Sequence, residues 1–276
     1  MKAKLSETEK KTALLYGRIH ALTEEDDVKR EADTFLTASH LGVSGDFLKG
    51  KRCLDAGCGG KGRALRGLFC LGSRDITAID ISEVNLENAK KENKDIADFV
   101  TFKFCNILEL DLQEEYFDFI HCSGVVHHTQ NPKKAVEELY RCLKPGGYLY
   151  IGVFGRGGIL YDIGGFMRIL AKLIPDKVVF AIAKIFFKGY AAREILDYLY
   201  VPFQFHYSEN SAMELLKNVG LIEIRRLKQP EHKAKSFLFN FFKPCYYNPK
   251  TFIGRFMAGD GWIVLMGKKK IEVDRL

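Results

Sequence analysis

The stretch KRCLDAGCGGKG, residues 51–62, constrains this chain most. A short apolar strand runs into Asp55 and then into a turn that holds Gly57, Gly59, Gly60 and Gly62. Glycines let backbone approach a ligand closely, and the helix that opens after them points free N–H groups at it. The outline is that of a small-molecule cofactor site, with a helical prefix laid over the turn.

Downstream, strands at 52–56, 75–79, 99–104, 117–122 and 148–154 alternate with helices at 63–71, 82–94 and 132–143. The LKPGG segment (143–147) reads as a tight turn before the fifth strand. This alternation implies right-handed βαβ units and a mostly parallel sheet. Residues 6–50 follow a helical pattern, with Ser6 and Thr23 as N-caps and Glu9 completing a capping box with Ser6.

After Phe154 the alternation stops. Five glycines between 155 and 165 give a flexible entry, and an apolar run with recurring basic residues then extends from Phe166 to Tyr190, split into two helices by Pro175. Regular structure resumes with a helix capped by Ser208 and a strand at 221–227. A second interruption rich in aromatic and basic residues follows, and the last strand is 262–267. The expected fold is α/β: one doubly wound, mostly parallel seven-stranded sheet with helices on both faces, an N-terminal helical cap and two lid-like insertions. Residues 1–276 form a single domain, with the cap at 1–50 and the cofactor-binding core at 51–154. The helical lid is 155–207, the rest of the core is 208–227 and 260–268, and the second insertion is 228–259.

An apolar content of 47% with 28% charged residues excludes a disordered chain. No apolar run approaches the roughly 20 residues that span a bilayer, and the N-terminus lacks the apolar core of a secretory signal. A cytoplasmic protein is the expectation. The seven cysteines include no CxxC pair and read as reduced core residues, and no metal constellation is evident. Residues 225–276 carry twelve basic and four acidic side chains, so the net charge of +7 is C-terminal. That bias suits an anionic substrate, an acidic membrane surface or nucleic acid, or a merely solvated surface.

Gly57, Gly59 and Gly62 satisfy G-x-G-x-x-G, which alone suggests NAD or FAD. Asp55 separates the readings, because its anion would repel a pyrophosphate docked at the helix N-terminus. A cationic ligand without phosphates removes the conflict, and S-adenosylmethionine carries both a sulfonium and an ammonium. Asp80, at the end of the second strand, suits the ribose diol of either cofactor.

The runs LDAGCGGKG, AIDIS (78–82), FCNILEL (104–110), FDFIHCSGVVHHTQNP (117–132) and LKPGGYLYI (143–151) together resemble the ordered motifs of class I S-adenosylmethionine-dependent methyltransferases. The similarity is to the branch that methylates quinones and other small molecules, and it is close over residues 51–154. It implies that Asp55, Gly57 and Gly59 hold the methionine part, Asp80 takes the ribose hydroxyls, and Ile81, Asn106 and Ile107 surround the adenine. Ser123 would line the sulfonium region. Asn106 departs from the Asp usual there, yet its carbonyl still accepts from the adenine amine. Lys61 replaces a glycine common in relatives and is expected to turn outward to solvent.

Methyl transfer is an in-line displacement, so proximity and orientation dominate and a base is needed only when the acceptor loses a proton. His127 and His128 follow the fourth strand at the ligand-binding edge and are the candidate bases, with Tyr207 beside them. Tyr16 and His20 on the prefix, and His206 and Tyr207 after the lid, are candidates for acceptor contact. The expected partner is a small, apolar or amphipathic acceptor, with peripheral membrane contact through 166–188 as an added reading. Nucleic acid is not the expected partner. The alternatives are an RNA methyltransferase using the basic C-terminal third, and a non-catalytic cofactor-binding or membrane-docked protein.

Overall fold

A computed structural model describes residues 5–20, 36–175, 177–179, 181–182, 196–228 and 252–271. Thr23, Cys245, residues 183–195 of the lid and residues 229–251 of the second insertion lie outside the described residues. Seven strands are present: β1 (Arg52–Ala56), β2 (Asp75–Asp80), β3 (Val100–Phe104), β4 (Phe117–Ser123), β5 (Leu143–Phe154), β6 (Leu221–Arg226) and β7 (Trp262–Lys269). Their order is β3-β2-β1-β4-β5-β7-β6. The first five run parallel, and β7 is antiparallel to both β5 and β6. The doubly wound, mostly parallel sheet expected from the alternation is therefore the fold.

Parallel strands covered on both faces must be apolar along their length. Four of the five residues of β1 and five of the seven of β4 illustrate the rule, since Cys53–Ala56, Phe117 and Phe119–Cys122 are all buried. One core layer lies under Leu139, Leu216 and Leu265, and a second under Leu41, Leu65 and Leu68. The helices are α1 (Glu7–His20), α2 (Ala38–Leu41), α3 (Arg63–Cys70), α4 (Glu83–Glu92), α5 (Pro132–Cys142), α6 (Ile159–Ala171), α7 (Glu209–Lys217) and α8 (Phe252–Ala258), of which α2, α3, α4, α5 and α7 supply those layers.

Local signals place the helix ends. Glu9 N–H donates to Ser6 Oγ at 3.3 Å while Ser6 N–H donates to Glu9 Oε2 at 2.7 Å, the reciprocal pair of a capping box. Ser82, Asn131 and Ser208 cap α4, α5 and α7 through their side-chain oxygens. Such caps contribute about 1 kcal/mol each.

Several expectations need correction. LKPGG is not a turn ahead of the strand but part of β5: Leu143 pairs with Phe117 and Tyr148 with Phe119, so the intervening residues bulge out of the ladder. Gly164 and Gly165 do not form a flexible entry and lie inside α6, because apolar and aromatic neighbours of that helix outweigh the glycine cost. Cys70 is exposed, unlike the other described cysteines.

Lys61 turns away from the glycine turn, as expected, but not to solvent. It is only 8% exposed, and its ammonium meets Glu92 Oε1 on α4 at 2.7 Å. A lysine in a first helical turn can be buried when an acidic partner on the next helix lies within reach of its long stem.

Candidate active site

The sheet order reverses between β1 and β4, the switch point at which doubly wound folds bind ligands beyond their strand ends. The glycine turn leaves β1 there. Gly57 has φ of +79°, and a Cβ on it would lie 2.3 Å from Val125 Cγ2, so both backbone shape and space require glycine. Gly57 and Cys58 N–H both donate to the Ile79 carbonyl, at 2.8 and 2.9 Å, tying the turn to β2.

Asp80 holds the turn from the other side. Its Oδ2 accepts from Gly59 N–H at 2.9 Å, and its Oδ1 from Ser82 N–H at 2.9 Å and from the Asn85 side-chain amide at 3.1 Å. Burial pushes its carboxyl up, against these hydrogen bonds. A carboxylate offers about four acceptor sites, and three are filled by the chain, which leaves capacity for a hydroxyl. Asp55 is 1% exposed; Oδ1 lies 2.8 Å from His121 Nδ1, and Oδ2 has no hydrogen-bond partner among the described residues. An orphaned buried carboxylate oxygen at the switch point fits a cationic ligand group, and Asp80 fits a diol. These residues suit S-adenosylmethionine.

On the adenine side, Ile107 is buried in the core and Ile81 is partly exposed next to Asp80. Asn106 is already engaged. Its Oδ1 accepts from Leu108 N–H at 3.0 Å, and its Nδ2 donates to Glu9 Oε1 on α1 at 2.7 Å. The capping box of α1 is thus also its anchor over the cofactor edge, a role that sequence alone did not suggest for Glu9. Ser123 lies against Gly152, where an added Cβ would be 2.3 Å from its Oγ.

The two histidines after β4 have different surroundings. His127 is fully buried among the rings of His128, Phe154 and Trp262, and neither ring nitrogen has a hydrogen-bond partner among the described residues. Burial, then the neighbouring His128 and His206, hold its pKa well below the usual histidine value. It is a neutral packing residue. His128 places Nδ1 3.0 Å from the Phe203 carbonyl, an acceptor only, so Nδ1 carries the hydrogen and Nε2 the lone pair. Nε2 lies 3.9 Å from Asp197 Oδ2, and Asp197 Oδ1 accepts from the Tyr16 hydroxyl at 2.6 Å. Burial lowers the His128 pKa, and Asp197 partly offsets it.

Tyr16, His128 and Asp197 therefore converge from α1, the end of β4 and residues 196–200, which are helical. Asp197 was not foreseen, because nothing in DYLY separates it from a solvated acid. His20 closes α1, and its side chain is outside the description.

A cavity of about 610 Å³ lies between α6 and residues 198–206. Its wall includes Tyr161, Arg168, Tyr198, Phe203, Phe205 and His206. Arg168 clamps the far wall to α6, donating to the carbonyls of Tyr198 at 2.6 Å, Val201 and Pro202 and to Gln204 Oε1 at 3.1 Å. His206 lines this cavity, packed on Tyr161 and Tyr198. Tyr207 does not: alternation in extended backbone turns it the other way, onto the core, where burial raises its phenol to about 12. His128 sits one hydrogen bond behind the cavity wall, through Phe203.

The buried imidazoles make stability acid-sensitive. Below about pH 6.5 the unfolded chain binds a proton that His127 cannot take while folded, so stability falls at roughly 1.4 kcal/mol per pH unit, and His128, with its lowered pKa, adds a smaller share. Asp80 and Asp260, with raised carboxyls, act in the opposite direction. The expected result is a urea midpoint that drops between pH 7 and pH 5, with a shallower drop in His127→Phe; equal slopes in both proteins would refute the assignment.

Residues 54–151 match the methyltransferase domain family. The ubiquinone biosynthesis O-methyltransferase of Alkalilimnicola ehrlichii is 33% identical over 131 residues, which cover 46% of this chain and 52% of that protein. The mitochondrial ubiquinone biosynthesis O-methyltransferase of Mus musculus is 27% identical over 240 residues, covering 79% of this chain and 64% of that one. The chain spans about half the length of the bacterial relatives it matches. A chain from the complex between the Haloferax volcanii Trm112 methyltransferase activator and a methyltransferase superposes with a TM-score of 0.60 at 15% identity, covering 98% of this chain and 100% of that one, a likeness of fold. The family match over the glycine turn and the strands beside it, on a sheet of this order, identifies residues 54–151 as a class I S-adenosylmethionine-dependent methyltransferase domain.

Proposed function

We propose that the chain methylates a hydroxyl group of a small, apolar or amphipathic acceptor, with S-adenosylmethionine as donor and His128 as base. The observation that carries this reading is the convergence of Tyr16, His128 and Asp197 behind the cavity walled by Tyr161, Tyr198 and Phe203. The relatives named for ubiquinone O-methylation support oxygen as the atom modified. The cavity volume is that of ordinary small-molecule pockets.

Asp55, Gly57 and Gly59 would hold the methionine part of the cofactor, and Asp80 its ribose. When bound, S-adenosylmethionine supplies an electrophilic methyl carbon on its sulfonium. His128 is kept neutral by burial and offers the Nε2 lone pair to the acceptor hydroxyl. Asp197, steadied by Tyr16, stabilises the imidazolium that results. The aromatic wall and α1 exclude water from the site.

The test is incubation with methyl-labelled cofactor and a panel of phenols and catechols, followed by fractionated lipid and RNA extracts. Label in an ether product supports the reading. Label in RNA favours the rival that rests on the basic C-terminal third, and no label in any fraction favours a non-catalytic protein.

A second reading, cytoplasmic and membrane-peripheral, rests on α6 and α8. Phe166, Ile169, Leu173, Phe252 and Phe256 are exposed there, with Lys172 and Arg255 among them. No described helix is long and apolar enough to cross a membrane. Flotation with anionic vesicles is the expected behaviour, lost in Ile169→Glu/Leu173→Glu; a wild-type protein that stays at the bottom of the gradient removes this reading.

A further inference from the structure

His121 is buried beside Asp55 and is used by no step above. The two residues lie opposite each other on β1 and β4, and His121 lies opposite Tyr150 on β5, so the three side chains share one face of the sheet. His121 Nδ1 is 2.8 Å from Asp55 Oδ1. Its ring stacks on Tyr150 with centroids 4.9 Å apart and planes at 29°, and the Tyr150 hydroxyl is 3.0 Å from His40 Nε2 on α2. The histidine is thus held in plane by one neighbour and aimed at the carboxylate by the other.

We propose that His121 is a positioning residue for the cofactor: its Nδ1–H fixes Asp55 Oδ1 and leaves Oδ2 to receive the α-ammonium. The proposal rests on the reading of Asp55 as the residue facing the methionine part. A carboxylate buried without a donor takes a proton, and a neutral acid attracts an ammonium weakly. The other titratable groups within electrostatic reach of Asp55 are Asp80, Cys58 and Cys122. Burial pushes both thiols up and keeps them neutral, and Asp80 is engaged by N–H donors of its own. None of them supplies the hydrogen bond that His121 does.

The chemistry also explains why a histidine serves here. A lysine or arginine would cancel the charge of Asp55 and repel the incoming ammonium. An imidazole donates one directed hydrogen bond through Nδ1, and the stack on Tyr150 prevents it from rotating away.

The test compares two ligands. S-adenosylhomocysteine carries the α-amino group, and methylthioadenosine has the same nucleoside without the amino-acid part. In His121→Phe, which preserves the stacked ring and removes the donor, the Kd for S-adenosylhomocysteine is expected to rise about tenfold. Methylthioadenosine should bind as it does to the wild type, which also reports an intact fold. His121→Asn, which returns a donor, should restore part of the loss. Equal weakening of both ligands, or unchanged S-adenosylhomocysteine binding, would overturn the role of His121. If instead the wild type itself shows no preference for the amino-acid ligand, the reading of Asp55 fails and the proposal with it.

Discussion

Replacing His128 by glutamine should lower turnover about 100-fold or more while S-adenosylhomocysteine affinity stays within twofold. Glutamine can still donate toward the Phe203 carbonyl that fixes the imidazole, but it cannot take a proton from a hydroxyl at neutral pH. Asp197→Asn should cost about tenfold, because the imidazolium loses a carboxylate 3.9 Å away while Tyr16 keeps a partner. The pH profile carries the same signature. Burial lowers the His128 pKa, so the acid limb of kcat should lie below the usual histidine range near 6.5. A His128→Gln enzyme with wild-type turnover on its true acceptor would leave orientation alone as the source of the rate.

The second large effect is expected at Asp80. Asp80→Asn should raise the Kd for S-adenosylhomocysteine about 100-fold by calorimetry, since a charged acceptor for the ribose hydroxyls is lost. The same substitution reaches the fold. An amide nitrogen would face at least one of the three donors that converge here, Gly59 N–H, Ser82 N–H and the Asn85 amide. A loss of about 2 kcal/mol in unfolding free energy is the expected companion. If affinity is unchanged while stability falls, Asp80 only braces the glycine turn.

Much of this was legible in the chain. The strand ends, the caps at Ser6, Ser82 and Ser208, and the switch-point turn follow from local chemistry: apolar runs, side-chain oxygens before helices, and glycines where φ is positive. Elements misread from sequence were those whose local signal conflicts with their tertiary setting. Gly164 and Gly165 look like a linker yet are helical in α6, and LKPGG looks like a turn yet is a bulge within β5. Lys61 looked solvated because nothing near it in the chain is acidic, and the partner Glu92 is supplied by a different helix.

The site divides the same way. Asp55, Gly57, Gly59 and Asp80 were identifiable because a cofactor turn is a local structure whose residues lie within one βαβ unit. His128 was identifiable as a candidate, but the choice of His128 over His127 was not, since adjacent residues in sequence differ only in what surrounds them. Tertiary packing enclosed one ring among Phe154 and Trp262 and set the other against the Phe203 carbonyl and Asp197. The same holds for His206 and Tyr207, of which one lines the cavity and the other packs on the core.

By itself, the sequence determined the order of the elements and the position of the glycine turn, because each depends on neighbours within a few residues. Only the tertiary structure decided that Glu9 reaches Asn106, that Tyr16 reaches Asp197 and that His121 meets Asp55. Those pairs lie 97, 181 and 66 positions apart, and no local preference encodes a partner that arrives on another element.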